Sequence, residues 1–135
     1  MEKTMEKMTP QQAWEFVRDR RTQHLIGLDF ADYIHFLLAG KGNEVTLLTY
    51  NLEEGKSLSE TLKDNLPEIQ EQSAEAMNML MQLYCGKDYQ LMMDDINELS
   101  WFVDSVTADG ISFAWGLEDS DTTEYQLQIC IFIVK

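Results

Sequence analysis

The chain has 135 residues, enough for one domain to bury a core without disulfides or metal. Its 24 acidic residues against 10 basic ones leave a net charge of −14, which repels phosphate backbones and anionic lipid, so nucleic acid and membrane surfaces are excluded as expected partners. A hydrophobic share of 44%, with three tryptophans, lies outside the range of disordered chains and predicts a folded protein whose acidity either keeps it soluble or meets a basic protein partner.

The first eight residues, MEKTMEKM, are polar and read as a frayed terminus ahead of one domain over 9–135. They contain no apolar signal core, and no run of 18 apolar residues follows, which predicts a cytoplasmic protein. Thr9, Pro10 and Gln12 then make a helix start, with Thr9 as N-cap and Gln12 closing a capping box. The helix is expected over 10–21, burying Trp14 and either Val17 or Phe16. Arg18, Arg20 and Arg21, the only arginines in the chain, stand at its C-terminal end.

Leu25 and Ile26 form a short extended piece before Gly27. Asp29 can cap a helix over 30–39 whose apolar stripe is Phe30, Tyr33, Ile34, Leu37 and Leu38, stopped by Gly40 and Gly42. β-Branched and aromatic residues over 44–52 predict a strand, and Ser57 with Glu60 caps a helix expected to stop at 66, ahead of Pro67. Residues 67–75 carry no clear pattern. Met77, Met79, Met81 and Leu83 alternate as a half-buried strand whose methionines fill a core more readily than they line a groove.

Asp94 and Asp95 open what is expected to be the longest helix, 92–107, with Ile96, Leu99, Val103 and Val106 on one face. Two alternating strands follow, Ile111 to Leu117 and Tyr125 to Ile133, joined by an acidic turn and expected to pair as an antiparallel hairpin. Phe132 and Val134 point opposite to that hairpin's main apolar row, toward further helices or another subunit. The elements sum to an α+β fold, a mixed sheet of about four strands covered by helices.

No glycine loop has the spacing that cradles phosphate, and Gly40 and Gly42 do not open a helix in the right way. His24 and His35 lack a ligand partner one turn away, so no zinc pattern and no other cofactor is expected. Cys85 and Cys130 lie in apolar runs and read as reduced, buried thiols. No nucleophile elbow supports an enzyme. Two constellations remain. Arg18, Arg20 and Arg21 can clamp an anion through planar bidentate donors, or stand solvated at a helix end. Asp29 and Asp32, three apart, place two carboxylates on one edge, where they can orient water or a cation, or serve only as helix-start residues.

The segment LIGLDFADYIHFL, residues 25–37, resembles the FtsZ segment that joins the central helix to the C-terminal domain, matching Asp29, Phe30, Ala31 and Asp32 in order. MLMQLYCGKDYQLMMDDINEL, residues 79–99, is similar to that family's strand, glycine turn and helix, with Gly86, Asp88, Leu91 and Asn97 in place. The last residues, ISFAWGLEDSDTTEYQLQICIFIV, resemble its final hairpin. Gly27 departs from the family's Asn, Cys85 replaces the first glycine of the turn, and residues 53–76 are unlike the family.

The resemblance covers roughly residues 10–135 and implies the FtsZ and tubulin C-terminal fold, also compared with chorismate mutase, without the GTPase half. It implies a cell-division context in which Asp29 and Asp32 reach a neighbouring subunit's nucleotide and act there in trans. The function expected is a non-catalytic interaction module, associating with itself as a homo-oligomer or with an FtsZ or tubulin-like filament. The alternatives are a small enzyme or anion binder working in a subunit cleft, and half of a split protein.

Overall fold

A computed structural model describes residues 3–20, 23–26, 44–52, 54–74, 76–87, 89, 92–107, 110–120 and 124–135, with 23–26 described by backbone alone. The expected helix over 30–39 lies outside these residues. Six strands form one mixed sheet: β1 (Lys3–Met8), β2 (Gln23–Ile26), β3 (Val45–Asn51), β4 (Asn78–Cys85), β5 (Ser112–Asp119) and β6 (Leu127–Val134), in the spatial order β1-β3-β6-β4-β5-β2. With helices α1 (Pro10–Asp19), α2 (Leu58–Gln72) and α3 (Met93–Val106), the fold is α+β, as expected.

The sheet has six strands where about four were expected, because two further strands, the polar β1 and the four-residue β2, extend it at its edges. One of these is β1, formed by the residues read as a frayed terminus. Its backbone completes an antiparallel ladder with β3 from Lys3↔Tyr50 to Met8↔Val45 while its side chains remain in water, so hydropathy carries no sign of it.

The central strands explain the topology. All eight residues of β4 are buried, and in β6 all but Gln128 are. The half-buried strand expected around Met77 is therefore fully covered. Met79, Met81, Leu83 and Cys85 join Ile129, Ile131 and Ile133 in a core beneath α2 and α3. Leu80, Tyr84, Cys130, Phe132 and Val134 join Ala13 and Val17 of α1 in a second core on the opposite face. There Phe16 meets Phe132 edge-to-face at 5.8 Å, so the outward row of the last strand is covered by a helix of the same chain.

β5 and β6 do not form the expected hairpin. β4 lies between them, parallel to β5 and antiparallel to β6. A strand apolar on both faces is best placed with a strand on each side, and the seven residues between β5 and β6 are long enough to step across its end. That step passes Gly86, whose N–H donates to the Gln126 carbonyl at 2.7 Å, while Ser120 N–H donates to the Cys85 carbonyl at 2.7 Å. A Cβ at position 86 would collide with the Tyr125 carbonyl oxygen.

α2 runs through Pro67 instead of stopping at 66, and at 15 residues it exceeds α3, expected to be the longest helix, at 14. Leu58, Leu62, Leu66 and Ile69 keep one apolar stripe on both sides of the proline, while Pro67 itself faces water. The lost hydrogen bond therefore falls where solvent can replace it, and burial of Ile69 outweighs it. The three helix starts follow the sequence: Thr9 Oγ1 accepts from Gln12 N–H, Ser57 Oγ from Glu60 N–H, and Asp95 Oδ2 from Met92 N–H.

β1, β3 and α2 meet at Glu68. Tyr50 Oη donates to Glu68 Oε1 at 2.6 Å and Lys3 Nζ to Glu68 Oε2 at 3.1 Å. The Tyr50 hydrogen bond, helped by Lys3, lowers the Glu68 pKa below its ordinary value, and burial with this same contact raises that of Tyr50. A depressed carboxylate pKa stabilises the fold above the ordinary carboxylate range, and this is lost as pH falls through the folded value.

Urea unfolding from pH 7 downward should show Glu68→Gln less stable at neutral pH and with a shallower acid decline than the wild type. The difference should shrink in high salt, since Glu68 is partly exposed. Gly86→Ala should lower stability by about 1–3 kcal/mol, because it forces the β5–β6 link off the end of β4. Thermal unfolding of this single variant checks the topology directly.

Candidate functional site

α1 ends over β4 and β6, and its C-cap residue, Arg20, lays its guanidinium between two rings, 4.4 Å from the Tyr84 centroid and 4.7 Å from that of Phe16. Its Nη2 donates to Tyr125 Oη at 3.2 Å and also to Gln128 Oε1. Gln128 Nε2 in turn donates to Asn51 Oδ1 at 2.9 Å. A chain of hydrogen bonds thus runs from α1 across β6 to the end of β3. Cys130 Sγ approaches Gln128 Oε1 at 3.7 Å, and burial pushes its thiol up to about 12, partly offset by Arg20. Cys85 is raised to about 11, mainly by burial, so both cysteines are the inert buried thiols the sequence predicts.

Beside Arg20 opens a shallow cavity of about 270 Å³, walled by Lys3, Thr4 and Glu6 of β1, by Thr49 and Asn51 of β3, and by Arg20. These groups offer hydrogen bonds and charge. Among the described residues, no group of three or more His, Cys, Asp or Glu side chains is placed to hold a metal ion.

Of the three arginines, Arg18 and Arg20 are described, and they do not point to one place. Arg20 is committed to Phe16, Tyr84, Tyr125 and Gln128, whereas Arg18 is exposed and pairs with its neighbour Asp19 at 3.2 Å. Arg21 lies outside the described residues, as do Asp29 and Asp32. His24 sits on β2, opposite Glu118 of β5. The partners of Arg20 were missed in the sequence, although a signal was present: Tyr84 and Gln128 are polar positions inside strands built mainly of apolar residues.

The sequence matches no protein-family model. It matches no curated protein either. Among solved structures, an empty FtsZ dimer from M. jannaschii is similar over 84% of this chain and 33% of its own, with a TM-score of 0.59 and 17% identity. A point variant of the same FtsZ is similar over 84% of this chain and 34% of its own, with a TM-score of 0.53 and 17% identity. The chain is thus similar in fold to FtsZ and spans about a third of the length of those chains. A YjgF-family protein from Neisseria meningitidis reaches a TM-score of only 0.42 at 22% identity, over 70% of this chain and 82% of its own, too slight to bear on the fold. None of the described helices is long and apolar enough to cross a membrane.

Arg20→Ala should destabilise the protein by about 1–3 kcal/mol, since it removes two ring contacts and leaves Gln128 short of a donor. Arg20→Lys should recover little of this, because an ammonium cannot stack as a plane and bond two acceptors together. Inorganic phosphate and simple dicarboxylates should leave the melting temperature of the wild type unchanged. Calorimetry of the three proteins, with and without these anions, distinguishes a packing arginine from an anion site.

Proposed function

We propose that this chain is a non-catalytic FtsZ-like interaction module, which associates with a filament of the FtsZ or tubulin type and modulates its assembly. The observation that carries the reading is the backbone likeness to FtsZ over 84% of the chain, beside the resemblance of the sequence at 25–37, 79–99 and 111–134 to that family. The commitment of Arg20 to internal contacts supports it against the anion-binding alternative, because an enzyme cleft for an anion needs converging free donors.

On this reading, Asp29 and Asp32 lie in the segment that meets a neighbouring subunit and influence nucleotide hydrolysis there. The net charge of −14 restricts the docking surface to one that is neutral or basic.

The test is sedimentation of FtsZ from the same cell, with GTP turnover followed in parallel. The protein is expected in the filament pellet, with turnover altered. The Asp29→Ala, Asp32→Ala double variant is expected to lose the effect on turnover while still unfolding cooperatively. Absence from the pellet together with unchanged turnover at high micromolar protein would rule the proposal out.

A further inference from the structure

The two strands at the β1 side of the sheet differ sharply in what their edges expose. β1 carries Lys3, Glu6 and Lys7 in six residues, with five of its side chains exposed. β3, which it covers, reads Val45-Thr46-Leu47-Leu48-Thr49-Tyr50-Asn51, without a charge and with every residue but Thr49 and Asn51 buried. An uncharged strand of this composition is the kind that templates pairing between chains when its edge is open.

Charge decides which of the two can pair with itself. Two copies of β1, antiparallel and centred on Met5 so that both faces match, set Lys3 of one opposite Lys7 of the other, twice; centred on Glu6, they set Glu6 against Glu6. Two copies of β3 centred on Leu48 bring Val45 against Asn51, Thr46 against Tyr50 and Leu47 against Thr49, with no like charges opposed.

β1 is also lightly held. Beyond its ladder to β3, it is joined by Lys3 to Glu68 of α2 at 3.1 Å and by Lys7 to Glu44 at 3.6 Å, and only Met8 packs on a core. Such exposed ion pairs contribute little each.

We infer that β1 is a self-masking strand: it covers the β3 edge, and its displacement allows β3 of a second copy of this chain to pair there antiparallel, joining two sheets into one. The inference rests on the edge strands and not on the FtsZ reading, so a failure of filament binding leaves it standing.

The full-length chain carrying Lys3→Glu and Lys7→Glu tests it, because both positions then face the carboxylates they formerly paired with. Hydrogen exchange of the β3 amides is expected to accelerate by about tenfold or more. In sedimentation velocity the main species should reach about twice the wild-type mass. An excess of a synthetic peptide of residues 3–9 should return it to the wild-type mass, which a merely misfolded chain would not do. Unchanged β3 protection overturns the inference. So does lost protection without a gain in mass, or a gain in mass that the peptide does not reverse.

Discussion

Because β4 and β6 are apolar on both faces, they are kept from water only if each has a strand on either side and a helical layer above and below. That requirement orders the rest of the molecule. β3 and β5 flank the central pair, α2 and α3 cover one face, and α1 lies on the other. The parallel register of β4 and β5 follows from the α3 crossover, and the antiparallel registers of β6 follow from its arrival by the step past Gly86. A glycine at this step is a steric requirement of the topology, since the Tyr125 and Gln126 carbonyls occupy the space a side chain would need.

The two faces differ in chemistry. Beneath α2 and α3 the packing is aliphatic and methionine-rich, and Phe102 meets Phe113 edge-to-face at 6.2 Å. Beneath α1 the sheet carries Tyr84, Gln82, Gln128 and Asn51, and Arg20 is drawn into that layer. A guanidinium can lie there because two rings supply its faces and oxygens its edges, so its desolvation is compensated. Arg20, one of the three arginines read as a possible anion clamp, is thus part of the packing.

The sheet ends are treated with equal economy of means. The central strands are long and apolar, whereas the terminal ones are shorter, and β1 is polar with two lysines. Such edges discourage growth of the sheet into a neighbour, and β1 itself is retained by its ladder, two surface ion pairs and the packing of Met8.

Local signals in the sequence were sufficient for α1, α3, β3 and β6, since capping residues and apolar periodicity act within a few residues of one another, and the α+β class followed from their alternation. Family resemblance at Asp29 to Asp32 and around Gly86 pointed to the FtsZ type of fold, in agreement with the backbone. Tertiary structure decided the remainder. Pro67 does not end α2, because the burial of Ile69 on the far side outweighs one solvated carbonyl. β1 forms because an edge ladder needs backbone and not hydrophobicity. β5 and β6 are separated because the demand of β4 for two neighbours exceeds the local preference for a hairpin. Arg20 joins the α1 layer because Tyr84, Tyr125 and Gln128, more than 60 residues away along the chain, meet it only once the sheet has formed. What the sequence determined by itself were short-range preferences; strand neighbours and polar pairings depend on contacts between distant residues, and only the assembled sheet brings these together.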